Sequence, residues 1–257
     1  MSSKTTSSKR RHHHSSRSKA EYIETESGNR ISKHANILDA RSIIIKRNTF
    51  IDHNVTLRGD LRRPSDKSPS SPSKSGHHVS SSTGSHTAIA IGRYCILERD
   101  VTVAPPGREP TAATESHTCA ETGLVHLPIK IGSYVHIGVG TTVEAAAIGS
   151  HVFIGRNCTV GRFTIIKECV YVEDNTVIPD YQVIPPFSRV CGSPAQVVEE
   201  LPESYEQILE LHARSMYSGI NDGLYWGNVL YVLLCRWLNK RKDNKKKREK
   251  RMERKKN

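Results

Sequence analysis

The chain has 257 residues and a formal net charge of +12, so it is long enough to bury a real core and would ordinarily suggest a polyanion as partner. The charge, however, sits at the ends: residues 1–19 and 239–257 together carry +15, which leaves residues 20–238 at about −3. No folded basic face is implied, and no specific nucleic-acid partner is expected.

In chain order, residues 1–19, MSSKTTSSKRRHHHSSRSK, contain no apolar stretch; this excludes a secretory signal there and predicts a disordered basic arm on an intracellular protein. The six cysteines, at 95, 119, 158, 169, 191 and 235, are then expected as free thiols. Cys95 and Cys158 each stand four residues after the Ile of an Ile-Gly pair, where a small inward packing residue is wanted. A six-residue beat of aliphatic residues starts less regularly at Ile31 and Ile37 and continues at Ile45, Ile51 and Leu57, at Ile91, Leu97 and Val103, and at Ile131, Ile137 and Val143. It then runs unbroken through Ile148, Ile154, Val160, Ile166, Val172, Ile178, Ile184 and Val190.

A period of six belongs neither to a helix nor to a lone strand, and predicts an all-β fold over residues 20–200: a parallel β-helix in which three hexads close one triangular coil. The aliphatic residue points inward, and Gly132, Gly138, Gly149, Gly155 and Gly161 beside it leave the corner free. About twenty such positions make roughly six or seven coils. The step from Val143 to Ile148 is five residues and tightens one corner. Residues 62–88, rich in Ser and Pro, read as a disordered insertion, and residues 105–128 as a second loop. Residues 201–219 predict a capping α-helix with Tyr205, Ile208, Leu209, His212 and Met216 on one side, where His212 is a packing residue. Residues 220–238 are apolar but short of a bilayer span. They are open between an interfacial membrane helix, a segment packed on the coils and an artefact of the gene model. Residues 239–257 read as a disordered basic tail.

The repeat region, down to LRGD at 57–60, resembles the γ-type carbonic anhydrases, whose zinc sits on three His from neighbouring coils. By motif those positions fall on Ala104, Val139 and Glu144. Ala and Val offer no lone pair, so neither a metal site nor a cofactor is expected. His117, Cys119 and His126 share the second loop but lack the spacing of a closed zinc site, and His136 and His151 flank Gly-bearing corners and should face solvent. No residue stands out as the His base of an acyltransferase. Arg58 and Asp60 read as a buried or interfacial ion pair.

In order along the chain, EYIETESGNRIS (21–32), LRGD, IGRYC, APPGR, VEAAAIGSHVFIGRNCTVGR, DNTVIPDYQVIPPFSRVCGSPA and ELPES are similar to the dynactin subunit 5 family of β-helix proteins. This resemblance covers roughly 20–216 outside the insertions. It implies a left-handed coil without catalysis, found in the cytoplasm and cytoskeleton. It also implies pairing with a second β-helix dynactin subunit at the pointed end of the filament of actin-related protein, where dynein meets cargo adaptors. On a stiff prism of this kind, Arg58, Asp60, Arg156 and Arg162 are candidate interface residues. The alternative is a hexapeptide-repeat enzyme, anhydrase-like or acyltransferase.

Overall fold

A computed structural model describes residues 21–61, 87–110 and 123–221. The expectations for the basic arm, the Ser-rich insertion, His117, Cys119 and residues from 222 onward fall outside these. The hexads resolve into very short strands that stack into three sheets, giving six complete coils of a left-handed parallel β-helix and a seventh strand on one face. Face A begins with a hairpin formed by EYIETESGNRIS, in which β1 (Tyr22–Glu24) pairs antiparallel with β2 (Arg30–Ser32). Face B begins with β3 (Asn36–Leu38) and face C with β4 (Ile43–Ile45). Every later strand of the coils pairs in parallel with its equivalent one coil away, the antiparallel strands Gly107–Arg108, Val125–His126 and Gln196–Glu200 lying outside the repeat, so Ile137, Ile154, Val172 and Val190 form one continuous inward stack. The core is that stack repeated at three corners: Ile51, Leu57, Ile137, Val143, Ile154, Val172, Ile184 and Val190 have no exposed surface. Cys95 and Cys158 lie among them, 0% and 1% exposed.

Corner geometry explains the other hexad positions. At most corners the third residue after the inward aliphatic is left-handed: Asn48, Asn54, Tyr94, Asp100, Tyr134, His151, Asn157, Phe163, Cys169, Asn175, Tyr181 and Phe187 have φ of 52–62°. Glycine next to the aliphatic serves a different purpose. A Cβ on Gly92 would lie 2.1 Å from the carbonyl oxygen of Gly132, and one on Gly132 would lie 2.5 Å from the carbonyl of Gly149. These glycines let one coil approach the next rather than turn the chain.

The irregularities share one place. The residues 59–88 between the face B strand Thr56–Arg58 and the face C strand Ile89–Ile91 span the B–C corner, and so do residues 104–128. The five-residue step at Val143–Ile148 and the short 3₁₀ turn at Ala40–Ser42 fall there too. The second insertion is not plain loop, because Gly107–Arg108 and Val125–His126 pair antiparallel at its base.

Residues 192–201 fold back over the last coil, with Gln196–Glu200 antiparallel to Ser188–Cys191. The single α-helix among the described residues, α1, runs Tyr205–Asn221. The coils and the helix through Ala213 form one compact unit and Arg214 onward another. In the first unit Tyr205, Leu209, His212 and Ala213 are buried on one side of the helix while Glu206, Gln207 and Leu211 are exposed. No helix among the described residues is long and apolar enough to cross a membrane.

Candidate interaction surfaces

Each two-residue strand places one side chain inward and one outward, so the outward row of a face reads directly from the pairing register. Face B carries Asn36, Thr56, Thr102, Thr142, Thr159 and Val177 in one ladder. Face C carries Ile44, Ala90, Lys130, Ala147, Ile165 and Val183. Face A carries Arg30, Phe50, Ile96, His136, Phe153, Tyr171 and Arg189. Threonine keeps face B polar at half-exposed positions. Face C is mostly aliphatic, with Ile44 45% and Val183 55% exposed. An open groove of about 560 Å³ crosses it beside Lys130, Ala147, Ile165, Lys167 and Pro186.

Face A is outward in register yet largely buried, because α1 lies on its middle coils and Tyr22 of β1 packs on Phe50 with ring centroids 5.4 Å apart. Phe50 and Ile96 are each 1% exposed and Tyr171 4%. Phe153 stacks on Tyr171 with ring centroids 5.1 Å apart and on His136 at 4.7 Å. The His136 ring reaches Glu98 Oε1 at 3.4 Å through Nε2, while His136 Nδ1 lies 3.3 Å from His212 Nε2 on α1. Burial raises the Glu98 carboxyl, but the hydrogen bond and charge of His136 and the Val139 amide offset this and hold it below its usual range. Burial, with the neighbouring His136, drives the His212 imidazole down to about 3, so the helix docks with His212 neutral. Tyr134 donates to Glu210 of the helix at 3.1 Å, and His151 lies 3.7 Å from Glu206.

This corrects the expectation that His136 and His151 face solvent. His136 is 5% exposed under α1, and the His151 side chain, 12% exposed, stacks on Tyr134. Both sit at positions that would be open on an uncovered prism. The signal that the sequence reading passed over lies in the outward row itself, where Phe50, Ile96, Phe153 and Tyr171 recur once per coil on one face only. His126 is also buried, its Nδ1 2.9 Å from the Pro105 carbonyl, which uses it as a strut for the second insertion.

Of the residues singled out as a candidate interface, Arg58 and Asp60 form a bidentate pair at the B–C corner, with Nε–Oδ1 2.9 Å and a terminal nitrogen 2.8 Å from Oδ2. The Arg58 hydrogen bond holds the Asp60 carboxyl below its usual range. Arg162, at the same corner three coils on, pairs with Asp180 at 3.0 Å. Arg156 is exposed at the A–B corner, where its amide donates to Asp174 Oδ1 at 2.8 Å. The four therefore form three separate sites. Ala104 and Glu144 lie at the B–C corner and Val139 at the A–B corner. Among the described residues no cluster of three or more His, Cys, Asp or Glu side chains has the geometry to hold a metal ion.

A family model described as dynactin subunit 5 matches residues 79–221, more than half of the chain. A dynactin subunit 5 from Dictyostelium discoideum is 30% identical over 199 residues, covering 77% of this chain and 83% of that one. The chain belongs to the dynactin subunit 5 family. A shorter match joins this family member to a probable carbonic anhydrase from Methanocaldococcus jannaschii, 37% identical over 76 residues, 30% of this chain and 48% of the archaeal protein. A hexapeptide transferase family protein from Anaplasma phagocytophilum superposes with a TM-score of 0.48 at 16% identity, over 76% of this chain and 92% of that one. As a dynactin subunit, this family member works within dynein-driven, microtubule-based transport.

Proposed function

We propose that this chain is a non-catalytic scaffold subunit seated at the pointed end of dynactin's actin-related filament, where it helps dynein take up cargo by binding cargo or adaptors. The observation that carries this reading is membership of the dynactin subunit 5 family in a chain whose positions 104 and 139 are Ala and Val. Zinc catalysis needs three protein ligands with an open fourth position, and these two side chains have no donor atom. The architecture suits a scaffold, because stacked coils present flat surfaces that lose little conformational entropy on binding. Its partners on this reading are a second β-helix subunit, the actin-related protein at the filament end and dynein adaptors, all in the cytoplasm, with Arg58, Asp60, Arg156 and Arg162 offered at the corners.

The test is purification of a tagged chain from its own cells followed by mass spectrometry. Recovery of dynactin subunits, including a second β-helix chain and actin-related protein, is expected. A stable homotrimer without them would favour the enzyme reading instead. That second reading draws on the match to the probable carbonic anhydrase. Metal analysis decides it, since one zinc per chain, removed together with carbon dioxide hydration, would restore it. Within the scaffold reading, Arg156→Glu weakens recovery of partners while leaving the melting temperature nearly unchanged. Ile154→Asp, which buries an unpaired carboxylate, costs several kcal/mol and loses fold and partners together.

A further inference from the structure

Charge is unevenly distributed over the corners of the coils. At the B–C corner Arg58 pairs with Asp60 and Arg162 with Asp180, and at the A–B corner Arg99 lies 3.6 Å from the buried Asp52. The A–B corner sets Lys33, Arg99 and Arg156 against Asp52, Glu98, Asp100, Glu173 and Asp174. The edge between faces C and A is different. Lys46, Arg47, Arg93 and Lys167 are exposed along it, Lys130 is exposed on face C beside it, and none of the five has a carboxylate partner among the described residues. Arg93 stands instead over the Tyr134 ring, 5.7 Å from its centroid. Among the described residues Glu168 is the one carboxylate of this edge, while Glu206 and Glu210 of α1 reach His151 and Tyr134 from the face A side. Lys46 and Lys167 directly follow face C strands and Lys130 lies within one, so the surplus positive charge belongs to face C.

From Lys46 to Lys167 is four coil steps, about 19 Å at ~4.8 Å per coil. The face beside them is aliphatic, with Ile44 and Val183 exposed, and Lys130 and Lys167 line its open groove together with Gly132, Ala147, Gly149 and Ser150. Its middle strands are paired on both sides, so they offer no backbone edge to a peptide. A lipid surface requires no such edge. Cations at one level attract it, roughly fivefold in affinity for each, and exposed aliphatic side chains at the same level enter its headgroup layer. We propose that face C and its edge with face A form a docking surface for an anionic phospholipid membrane. Lipid phosphates sit between Lys130 and Lys167, and Ile44 and Val183 lie in the headgroup layer. A second copy laid on this face would oppose like charges. Residues 1–19 and 239–257, which together carry +15, attract the same lipids, so the test turns on face C itself.

This goes beyond the scaffold reading, and its assay needs only the isolated full chain, so either can fail alone. Vesicles of phosphatidylcholine with about 30% phosphatidylserine should carry the chain down on sedimentation, neutral phosphatidylcholine should not, and added salt should release it. Lys130→Glu combined with Lys167→Glu should lower that binding at least about tenfold and leave the melting temperature within a few degrees. Brief acetylation read by mass spectrometry should find Lys46, Lys130 and Lys167 shielded by the vesicles, about fivefold or more, and Lys33 at the A–B corner unchanged. Undiminished binding of the double variant would overturn the proposal and assign membrane binding to the basic ends. Equal binding to neutral vesicles, equal shielding of Lys33, or the same shielding by inorganic phosphate alone would overturn it as well. Shielding without lipid would assign face C to the chain's own residues, such as Glu115 and Glu121 of the second insertion, or to a second copy where it follows dimer formation. Shielding in lipid-free dynactin would assign it to an acidic protein surface; each of these overturns it.

Discussion

Asn157 and Gly132 occupy neighbouring corners but answer to different constraints. Asn157 sits at φ 52°, a region that Asn tolerates and a β-branched residue does not. Asn157→Gly is expected to be nearly neutral and Asn157→Val to cost about 1–3 kcal/mol, read as a fall in denaturation midpoint. Gly132→Ala meets the Gly149 backbone at 2.5 Å and costs a similar amount, although alanine has the better intrinsic propensity. The cysteines separate by environment as well. Burial raises the Cys95 thiol to about 12 and pushes Cys158 up, so neither forms much thiolate at pH 8. Mass spectrometry after brief treatment of the native protein with an alkylating agent should find both unmodified, and denaturant should expose both.

At the scale of the element, α1 is pinned to face A by a pair of histidines over a carboxylate, which makes its docking sensitive to acid. His212 has a folded pKa near 3 against an ordinary value of 6.5, so the unfolded chain binds the proton first. Its contribution is complete above about pH 6.5 and declines as the pH falls, by about 1.4 kcal/mol per unit until the folded pKa is reached. Glu98, Glu206 and Glu210 face the same contact, and Glu98, held low, stays ionised through most of that window. His212→Leu should therefore flatten the dependence of melting temperature on pH between 6.5 and 4. An unchanged slope would place the acid sensitivity elsewhere. The coils were legible in the sequence because the inward aliphatic is a one-residue signal repeated at a fixed step. The left-handed corner was not legible, because Tyr94, Tyr134, Phe163 and Tyr181 occupy it as readily as Asn does, stabilised by stacking between coils. Nor was the burial of His136, which depends on a helix some seventy residues downstream.

For the whole molecule, the phase of the coil survives interruptions of very different length, provided they leave from the B–C corner. A Gly/Ser segment of about ten residues inserted after Arg162, at that corner, should be accepted with little loss of thermal stability. The same segment after Arg156, at the A–B corner, should be tolerated poorly. Circular dichroism melts of the two insertions compare the corners directly. The candidate corner residues Arg58, Asp60, Arg156 and Arg162 were readable as exposed or paired charges, but their separation into three sites needed the register.

The backbone hydrogen bonds between coils all point along the axis of the prism, on three faces at once. The direction of a pull on such a prism then governs how it yields. Tension applied along the axis must part three ladders of one coil interface together, instead of opening them bond by bond from a corner. The docked turns of α1, which touch residues of successive coils from Tyr134 to Phe153, bridge the interface between those coils as a splint bridges a joint. Towing through the two ends would therefore meet a stiff body, whereas the same force delivered through an insertion at the B–C corner would peel a single coil.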